Sequence, residues 1–347
     1  MKRHFALALA SLCAPLALVP AMANDTVASI NLGGLELSPS AAVTMESEDL
    51  YLSEERIRVR YVYANDTSAA EHLMISFPLP MPTAREEEEA RETGMYQEWN
   101  QLDFQTLIDG KPAPLTRHDV PMVGERSVEA RLKQLGFPVL HWRDEGLSDR
   151  LNALPDDVAS ALVAEGILID DADSGGGAVR NLRPGWMVQT HVTRFQTFPP
   201  GEKVVVEHSY RPMVGGSASG SLNRDYRDMA LNGPDGLGAP YCIDPPFLAA
   251  YDRRVYGGKP AGDPDPGLTV VQTWLGYVLK TGANWLGPIK NFRLVVDKGR
   301  PENLVSFCMD GVKKISPTQF EVTRTNFEPI RDLDVFLVEF IVDGEGR

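Results

Sequence analysis

Apolar and polar residues alternate along much of the chain, and the clearest example lies in its first fifth. Ile57, Val59 and Tyr61 alternate there with Arg58 and Arg60. Successive side chains of a strand point to opposite faces, so this pattern predicts a strand with one buried face. Similar patterns or short apolar runs recur at residues 73–77, 104–108, 186–198, 204–210, 270–279, 292–296, 304–307, 320–323 and 335–342. So many short strands predict a mainly β (α+β) fold, with antiparallel β-sandwich-like sheets and a short helical insert.

Turn sequences indicate how some of these strands connect. Asp109-Gly110 follows an apolar run, and this dipeptide is a strong signal for a two-residue hairpin turn. Pro199-Pro200-Gly201 separates the strands at 186–198 and 204–210, which predicts a long hairpin. Residues 215–266 are rich in Gly, Pro, Asn and Asp, so we expect them to be mostly loop.

The spacing of apolar residues changes to three or four between positions 127 and 170. Val128, Leu132 and Leu135 begin this series. Pro155, followed by two aspartates, is typical of a helix start. The pattern predicts a helical insert between two β-rich regions. The predicted division is therefore 1–23, 24–126, 127–170 and 171–347.

The first 23 residues have the pattern of a cleavable signal peptide. Lys2 and Arg3 precede an apolar run that closes on Ala21-Met22-Ala23, so we expect cleavage after Ala23. A retained membrane anchor is the alternative. Pro15 and Pro20 interrupt the run, however, and it is shorter than the roughly 20 residues that cross a bilayer. We therefore expect an exported protein with no membrane span.

The charge balance argues against nucleic acid as a partner. The chain has 34 Lys and Arg against 48 Asp and Glu, a formal net charge of −14. Loss of Lys2 and Arg3 with the leader would change −14 to −16. Such an acidic chain repels phosphate backbones. The acidic run at 86–89 is predicted to be a solvated loop or a short helix.

Two of the three cysteines, Cys242 and Cys308, lie beyond the predicted leader. In an oxidising compartment an isolated pair usually forms a disulfide, which we predict here. Such a bridge would stabilise the fold by about 4 kcal/mol through loop closure. Two separately buried thiols are the alternative.

No motif predicts a metal, a cofactor or a catalytic residue. Asp171-Ala172-Asp173 resembles the start of a calcium loop, but Leu182 occupies the position of the required bidentate glutamate. The histidines do not have a zinc-binding spacing such as H-E-x-x-H. The glycine clusters lack the G-x-S-x-G and G-x-G-x-x-G spacings of nucleophile elbows and nucleotide sites.

The segment 281–292 carries the most varied set of side chains and is a candidate ligand-binding loop. Trp285 offers a flat apolar face, while Asn284 and Lys290 offer directional donors for a small polar ligand. The alternative is a structural turn in which Trp285 closes one end of the sandwich.

Several sequence segments resemble the secreted bacterial family catalogued as domain of unknown function 4424. They are Gly33-Gly34-Leu35, Met45 to Leu50, Ile57 to Tyr61, Phe77 to Pro80, Val206 to Pro212, Gly282 to Trp285, Asn303 to Cys308 and Lys313 to Pro317. The resemblance spans nearly the whole chain after the leader. It implies a Gram-negative origin and a periplasmic location, and it supplies no catalytic residues.

These observations favour a non-enzymatic module that binds a protein or a small polar ligand in the cell envelope. One alternative is a glycan or peptide hydrolase using two carboxylates, drawn from Glu46, Glu48 and Asp49 or from Asp171 and Asp173. Another is a structural component of the envelope, which would expose a large apolar patch.

Overall fold

A computed structural model describes residues 24–31, 34–82, 84–93, 96, 101–171, 180–218, 220–233, 236–259 and 262–342. The predicted leader and its cleavage site lie largely outside these residues. Asp173 of the weighed calcium motif also lies outside them. Within the described ranges no helix is both long and apolar enough to cross a membrane.

Strands dominate the described residues, and twenty are present. They are β1 (Thr26–Asn31), β2 (Gly34–Ser38), β3 (Val43–Leu52), β4 (Ile57–Asn65), β5 (Glu71–Pro78), β6 (Gln105–Ile108), β7 (Lys111–Pro112), β8 (Thr116–Val123), β9 (Arg126–Ser127), β10 (Leu168–Asp170), β11 (Leu182–Pro184), β12 (Met187–Phe198), β13 (Lys203–Tyr210), β14 (Val214–Ser217), β15 (Leu268–Tyr277), β16 (Ile289–Asp297), β17 (Leu304–Phe307), β18 (Lys313–Lys314), β19 (Gln319–Phe327) and β20 (Leu333–Val342).

The strands form three main sheets and one small one. The six-stranded sheet has the order β2-β1-β5-β12-β8-β9, the eight-stranded sheet β18-β19-β16-β3-β4-β13-β6-β7, and the four-stranded sheet β14-β15-β20-β17. Strands β10 and β11 pair separately. The mainly β, antiparallel prediction is confirmed, although β16 and β3 pair in parallel, with Leu294 opposite Leu50.

Helices are short and lie between the strands. They are α1 (Ala84–Thr93), α2 (Glu129–Leu135), α3 (Leu147–Asn152), α4 (Asp156–Ala164), α5 (Arg227–Asn232), α6 (Gly238–Tyr241) and α7 (Pro245–Val255), with 3-10 turns at His141–Arg143 and Lys280–Asn284. Asp244 caps α7 by accepting a hydrogen bond from the Phe247 amide at 2.8 Å. Two prolines follow this cap, where missing N–H groups cost least.

The main apolar core joins all three large sheets. Its alternating strand residues include Val59, Tyr61 and Tyr63 of β4, all buried as the pattern in the sequence predicts. A second cluster forms between α2, α3, α4 and the strand residues beside them. A third cluster packs α6 and α7 against the four-stranded sheet.

The hairpin predicted around Pro199-Pro200-Gly201 is wrong. Strand β12 pairs with β5 and β8, whereas β13 pairs with β4 and β6 of another sheet. Asn65 holds the connection where the chain crosses from β12 to β13. Its side-chain Nδ2 donates to Phe198 O at 2.8 Å, and its backbone carbonyl accepts from Gly201 N at 2.7 Å. Alternation predicts which side chains share a face, but it does not specify the neighbouring strand.

The turn at Asp109-Gly110 does form a hairpin, between β6 and β7. Both residues have positive φ, 48° and 76°, as a type I′ turn requires. The region 215–266 departs from the predicted loop, since it contains part of β14 and all of α5, α6 and α7. Short helices without strong periodicity are difficult to recognise from sequence.

The predicted division into regions stays a prediction. Helices α2 to α4 do lie within 127–170, but the eight-stranded sheet combines strands from both flanking regions. The acidic run at 86–89 lies in α1.

Candidate functional site

A cavity of about 300 Å³ opens between the six-stranded sheet, the four-stranded sheet, α1 and the 3-10 turn at 141–143. Its lining comes from segments far apart in the sequence. The aromatic members are Tyr96, Trp142, Tyr241 and Trp274, and the charged members are Glu86, Glu87, Arg117 and Asp334. The volume suits a small organic molecule.

Aromatic rings provide the flat surfaces of this cavity. Tyr96 stacks on Trp142, with ring centroids 4.3 Å apart and planes inclined by 6°. Burial, and then the neighbouring Glu87 charge, raise the pKa of Tyr96 to about 12. The tyrosine therefore stays neutral at ordinary pH. The indole N–H of Trp142 is buried and has no hydrogen-bond partner among the described residues.

Two carboxylates from the first turn of α1 face the cavity and are held in place. Glu86 Oε1 accepts a hydrogen bond from Trp274 Nε1 at 3.0 Å. Glu87 Oε1 lies 3.1 Å from Nε2 of His141. These contacts fix α1 over the cavity, so both charges have defined positions.

A third carboxylate, Asp334, reaches the cavity from β20. It makes no hydrogen bond or ion pair with the residues that the structure describes. Burial, and then the Asp332 charge, raise the pKa of Asp334 above its ordinary value. The cavity's one lining arginine, Arg117, is already paired with Asp119 at 2.7 Å. Asp334 is therefore an acidic group on the cavity wall with no cationic partner among the described residues.

Gly215 of β14 allows the close approach of two cavity residues. A Cβ atom at this position would overlap Trp274 Nε1 and Glu86 Oε1. The next residue, Gly216, has ordinary clearance of 3.5 Å to its nearest atoms. The hydrogen bond between Trp274 and Glu86 therefore requires glycine at 215.

The predicted disulfide between Cys242 and Cys308 is confirmed, with Cα atoms 5.1 Å apart. It joins the end of α6 to the residue after β17. Tyr241, the neighbour of Cys242, lines the cavity. The bridge thus tethers one aromatic wall to the four-stranded sheet.

A second group of polar residues lies inside the protein and is here named the N-terminal polar cluster. It consists of Asn24, Asp25, Glu48, Tyr61, Tyr63, Arg194, His208 and Tyr277, all of them buried. Asn24 and Asp25 directly precede β1, and their side chains contact β4 through Tyr61 and Tyr63 and β13 through His208.

Asp25 is the centre of this cluster. Arg194 donates two hydrogen bonds to its carboxylate, at 3.0 and 2.6 Å. Tyr63 OH also donates to it, at 3.2 Å. Burial alone would raise the pKa of Asp25, but Arg194 and then His208 hold it well below its ordinary value. Asp25 and Arg194 therefore form a buried ion pair.

His208 is a neutral bridge between two partners. Burial lowers its pKa despite the nearby Asp25 charge. Nε2 lies 3.2 Å from Asp25 Oδ1 and Nδ1 lies 2.8 Å from Thr106 Oγ1. The consistent tautomer donates from Nε2 and accepts the Thr106 hydroxyl at Nδ1.

Glu48 has a different environment. Asn24 Nδ2 donates to its Oε2 at 2.9 Å and Tyr277 OH donates to its Oε1 at 3.3 Å. No Lys, Arg or His among the described residues pairs with it. Burial raises the pKa of Glu48 to about 8, and the nearby Asp25 charge acts in the same direction.

The three residues predicted to bind a ligand do not share one surface. Trp285 is buried, packs on Tyr63 with ring centroids 4.4 Å apart, and donates from Nε1 to Asp25 O at 2.7 Å. Asn284 is also buried and donates to Thr26 Oγ1 at 2.9 Å. Lys290 lies at the surface, paired with Glu46. Their role in ligand binding stays a prediction.

The three carboxylates of β3 that were considered for hydrolysis, Glu46, Glu48 and Asp49, lie in different environments. Glu48 faces the interior, Asp49 is exposed, and Glu46 pairs with Lys203 and Lys290. In the described parts of the chain, no three His, Cys, Asp or Glu side chains converge as metal ligands.

Sequence reasoning missed the cavity. Its aromatic and acidic residues are spread from Glu86 to Asp334, and none belongs to a motif. The acidic run at the start of α1 is the one sequence feature that lies at the cavity, and such a run ordinarily predicts a solvated surface.

Comparison with known protein families gives one match. The family described as a domain of unknown function, DUF4424, matches residues 23–336. The chain belongs to the DUF4424 family. The resemblance seen in the sequence is thereby confirmed, and both the cavity and the N-terminal polar cluster fall within the matched DUF4424 region.

Solved structures show weaker similarity to this DUF4424 chain. A candidate nutrient-binding protein from Legionella pneumophila is 14% identical, with a TM-score of 0.37, over 86% of this chain and 68% of that one. A mutant M1 zinc metallopeptidase from Deinococcus radiodurans is 9% identical, with a TM-score of 0.26, over 86% and 43% respectively. Similarity at this level does not establish a shared fold. No curated protein matches.

Proposed function

We propose that this protein is an exported, periplasmic binding protein without catalytic activity, and that its ligand is a small organic cation held in the cavity. The observation that carries the proposal is the combination of aromatic walls with three carboxylates, Glu86, Glu87 and Asp334, around about 300 Å³.

The electrostatics of the cavity favour a positive ligand. Because Arg117 is already paired with Asp119, the one arginine that lines the cavity is not available to Asp334. An ammonium or guanidinium group beside Asp334 would favour its ionised form and offset its burial.

The rings favour an organic cation over a bare metal ion. Trp142, Trp274 and Tyr96 present π-faces or edges, and cations over aromatic faces gain roughly 0.5–2 kcal/mol per contact. Metal ions instead need several convergent oxygen ligands.

Binding can be tested with three probes: choline, agmatine and putrescine. Titration of the purified protein, followed by tryptophan fluorescence and calorimetry, should show saturable binding of at least one of them. The neutral isostere of choline, 3,3-dimethylbutanol, should bind at least tenfold more weakly than choline if choline is the ligand. If no cation binds, or if the neutral compound binds equally well, the cation proposal is wrong.

A variant pair locates the site. Glu87→Gln combined with Asp334→Asn should weaken cation binding at least tenfold, because it removes two charges and keeps the side-chain shapes. Glu46→Gln, on the surface beside Lys203 and Lys290, is the matched control and should leave binding unchanged.

Export and cleavage need a separate measurement. Fractionation of cells that express the full chain, followed by intact mass and N-terminal sequencing, should find a periplasmic product starting at Asn24. A product that retains Met1 in the cytoplasm would overturn this part of the proposal without affecting the cavity.

A further inference from the structure

The start of the predicted mature chain lies in the interior. Asn24, Asp25 and Thr26 are each fully buried. Asn24 Oδ1 accepts a hydrogen bond from Tyr61 OH, while its Nδ2 donates to Glu48 at 2.9 Å. A mature N-terminus is usually a mobile surface feature. Here the first three residues have specific partners.

The surrounding chain is shaped to admit Asn24. A Cβ atom on Gly282 would stand 2.8 Å from Asn24 Nδ2, so the close approach depends on glycine at 282. Asn284 and Trp285, next to it, hold Thr26 and the Asp25 carbonyl. The segment 282–285 is therefore part of a binding slot for residues 24–26.

The slot holds more carboxyl groups than buried cations. The N-terminal polar cluster contains two carboxylates, Asp25 and Glu48, but only one buried guanidinium, Arg194, which is used by Asp25. His208 is neutral. Glu48 has no positive partner among the described residues, and a carboxylate buried without one takes up a proton, in agreement with its raised pKa. A cation placed beside Glu48 would keep it ionised.

Cleavage of the leader would create a positive charge at this place. Hydrolysis of the Ala23–Asn24 peptide bond consumes one water and leaves a carboxylate on Ala23 and an ammonium group on Asn24. The Asn24 side-chain amide is 2.9 Å from Glu48. Covalent geometry then keeps the backbone nitrogen of Asn24 within about 8 Å of that carboxylate.

We propose that the α-ammonium group of mature Asn24 is the buried counter-charge of Glu48, so that removal of the leader completes the core of the fold. This inference rests on the export and cleavage part of the proposed function. It does not depend on the cation-binding cavity. The group joins the cluster only after processing, which couples final stability to arrival in the periplasm.

A double-mutant cycle on the processed protein tests the pairing. One glycine inserted between Ala23 and Asn24 moves the ammonium group by one residue. Denaturant unfolding should show at least a tenfold lower folding equilibrium constant for this insertion. In the Glu48→Gln background the insertion should cost less than threefold, because the carboxylate is gone while the amide still fits.

Glu46→Gln is the matched control, since it is the same change on the same strand outside the cluster. In that background the insertion should still cost at least tenfold. Equal effects of the insertion in the wild-type and Glu48→Gln backgrounds would overturn the inference.

A second measurement needs no variant. The α-amine of the processed native protein should react with acetic anhydride at least tenfold more slowly than the same amine after denaturation, as followed by mass spectrometry of the N-terminal peptide. Equal rates would overturn the inference. A product that starts at a residue other than Asn24 would refute the cleavage proposal and this inference together. A product starting at Asn24 without coupling to Glu48 would refute this inference alone.

Discussion

The cavity and the N-terminal polar cluster contain similar side chains but differ in whether those side chains already have partners. Both combine carboxylates with tyrosine side chains. In the cluster, Asp25 has Arg194, Tyr63 and His208 as partners, and solvent is excluded. In the cavity, Asp334 has no such partner among the described residues and remains open to a ligand. Satisfied polar groups stabilise a fold, while groups left without partners can recognise something else.

The largest expected loss of stability comes from a substitution in the N-terminal polar cluster. Asp25→Asn removes the charge that pairs with Arg194 and leaves the guanidinium buried without a counter-charge. The free energy of unfolding should fall by about 3–5 kcal/mol, as measured with denaturant. Asp103→Asn, which breaks an exposed pair with Arg56, should have little effect. Equal losses for both variants would contradict the distinction.

Removal of the disulfide should affect the cavity but not the N-terminal polar cluster, with the second-largest expected effect. Replacing Cys242 and Cys308 with alanine should lower the free energy of unfolding by up to about 4 kcal/mol. Since Tyr241 lines the cavity, cation binding should weaken, whereas acetylation of the Asn24 amine should stay slow in the folded protein. Reductant should have no effect on the alanine variant, which provides the control.

Gly215→Ala should perturb the cavity alone. The added Cβ overlaps Trp274 Nε1 and Glu86 Oε1, so the unfolding free energy should fall by about 1–3 kcal/mol and cation binding should be lost. Gly216→Ala is the matched control because its Cβ meets only ordinary contacts. Thermal unfolding and titration of both variants measure the difference; a larger loss at 216 would contradict the assigned geometry.

The smallest expected effect is on the pH dependence of stability, through Asp334. Because its pKa is raised by burial and then by Asp332, the folded state holds this proton more tightly than the unfolded state. The stability it contributes is therefore lost as pH rises above the ordinary carboxyl range near 4. Asp334→Asn should become progressively more stable than the wild type between about pH 4 and pH 7, as measured by melting temperature.

Glu46→Gln is the control, because its stability relative to the wild type should change with pH in the opposite direction. The hydrogen bond from Lys290 holds the pKa of Glu46 below its ordinary value, despite some burial. Its stabilising contribution is present above the ordinary pKa and is lost as pH falls. The variant should thus be less stable than the wild type at pH 7 and similar to it in acid. The same pH trend in both variants would contradict the assignments.

Part of the fold was predictable because it depends on local periodicity. The alternation at 57–63 predicted the buried face of β4, and Asp109-Gly110 predicted a hairpin, because each signal lies within a few residues. Pairing partners were not predictable in this way. The crossing from β12 to β13 depends on Asn65, more than 130 residues before Gly201, which joins the two sheets through hydrogen bonds.

The sequence by itself determined the strand-rich character, the family, the paired cysteines and the acidic balance, since each is a property of short segments or of composition. Only the tertiary structure placed Asn284 and Trp285 around Asp25, and brought Glu86, Trp142 and Asp334 to one cavity. The physical reason is that burial and charge pairing act between side chains that are close in space, and long-range contacts have no fixed spacing along the chain.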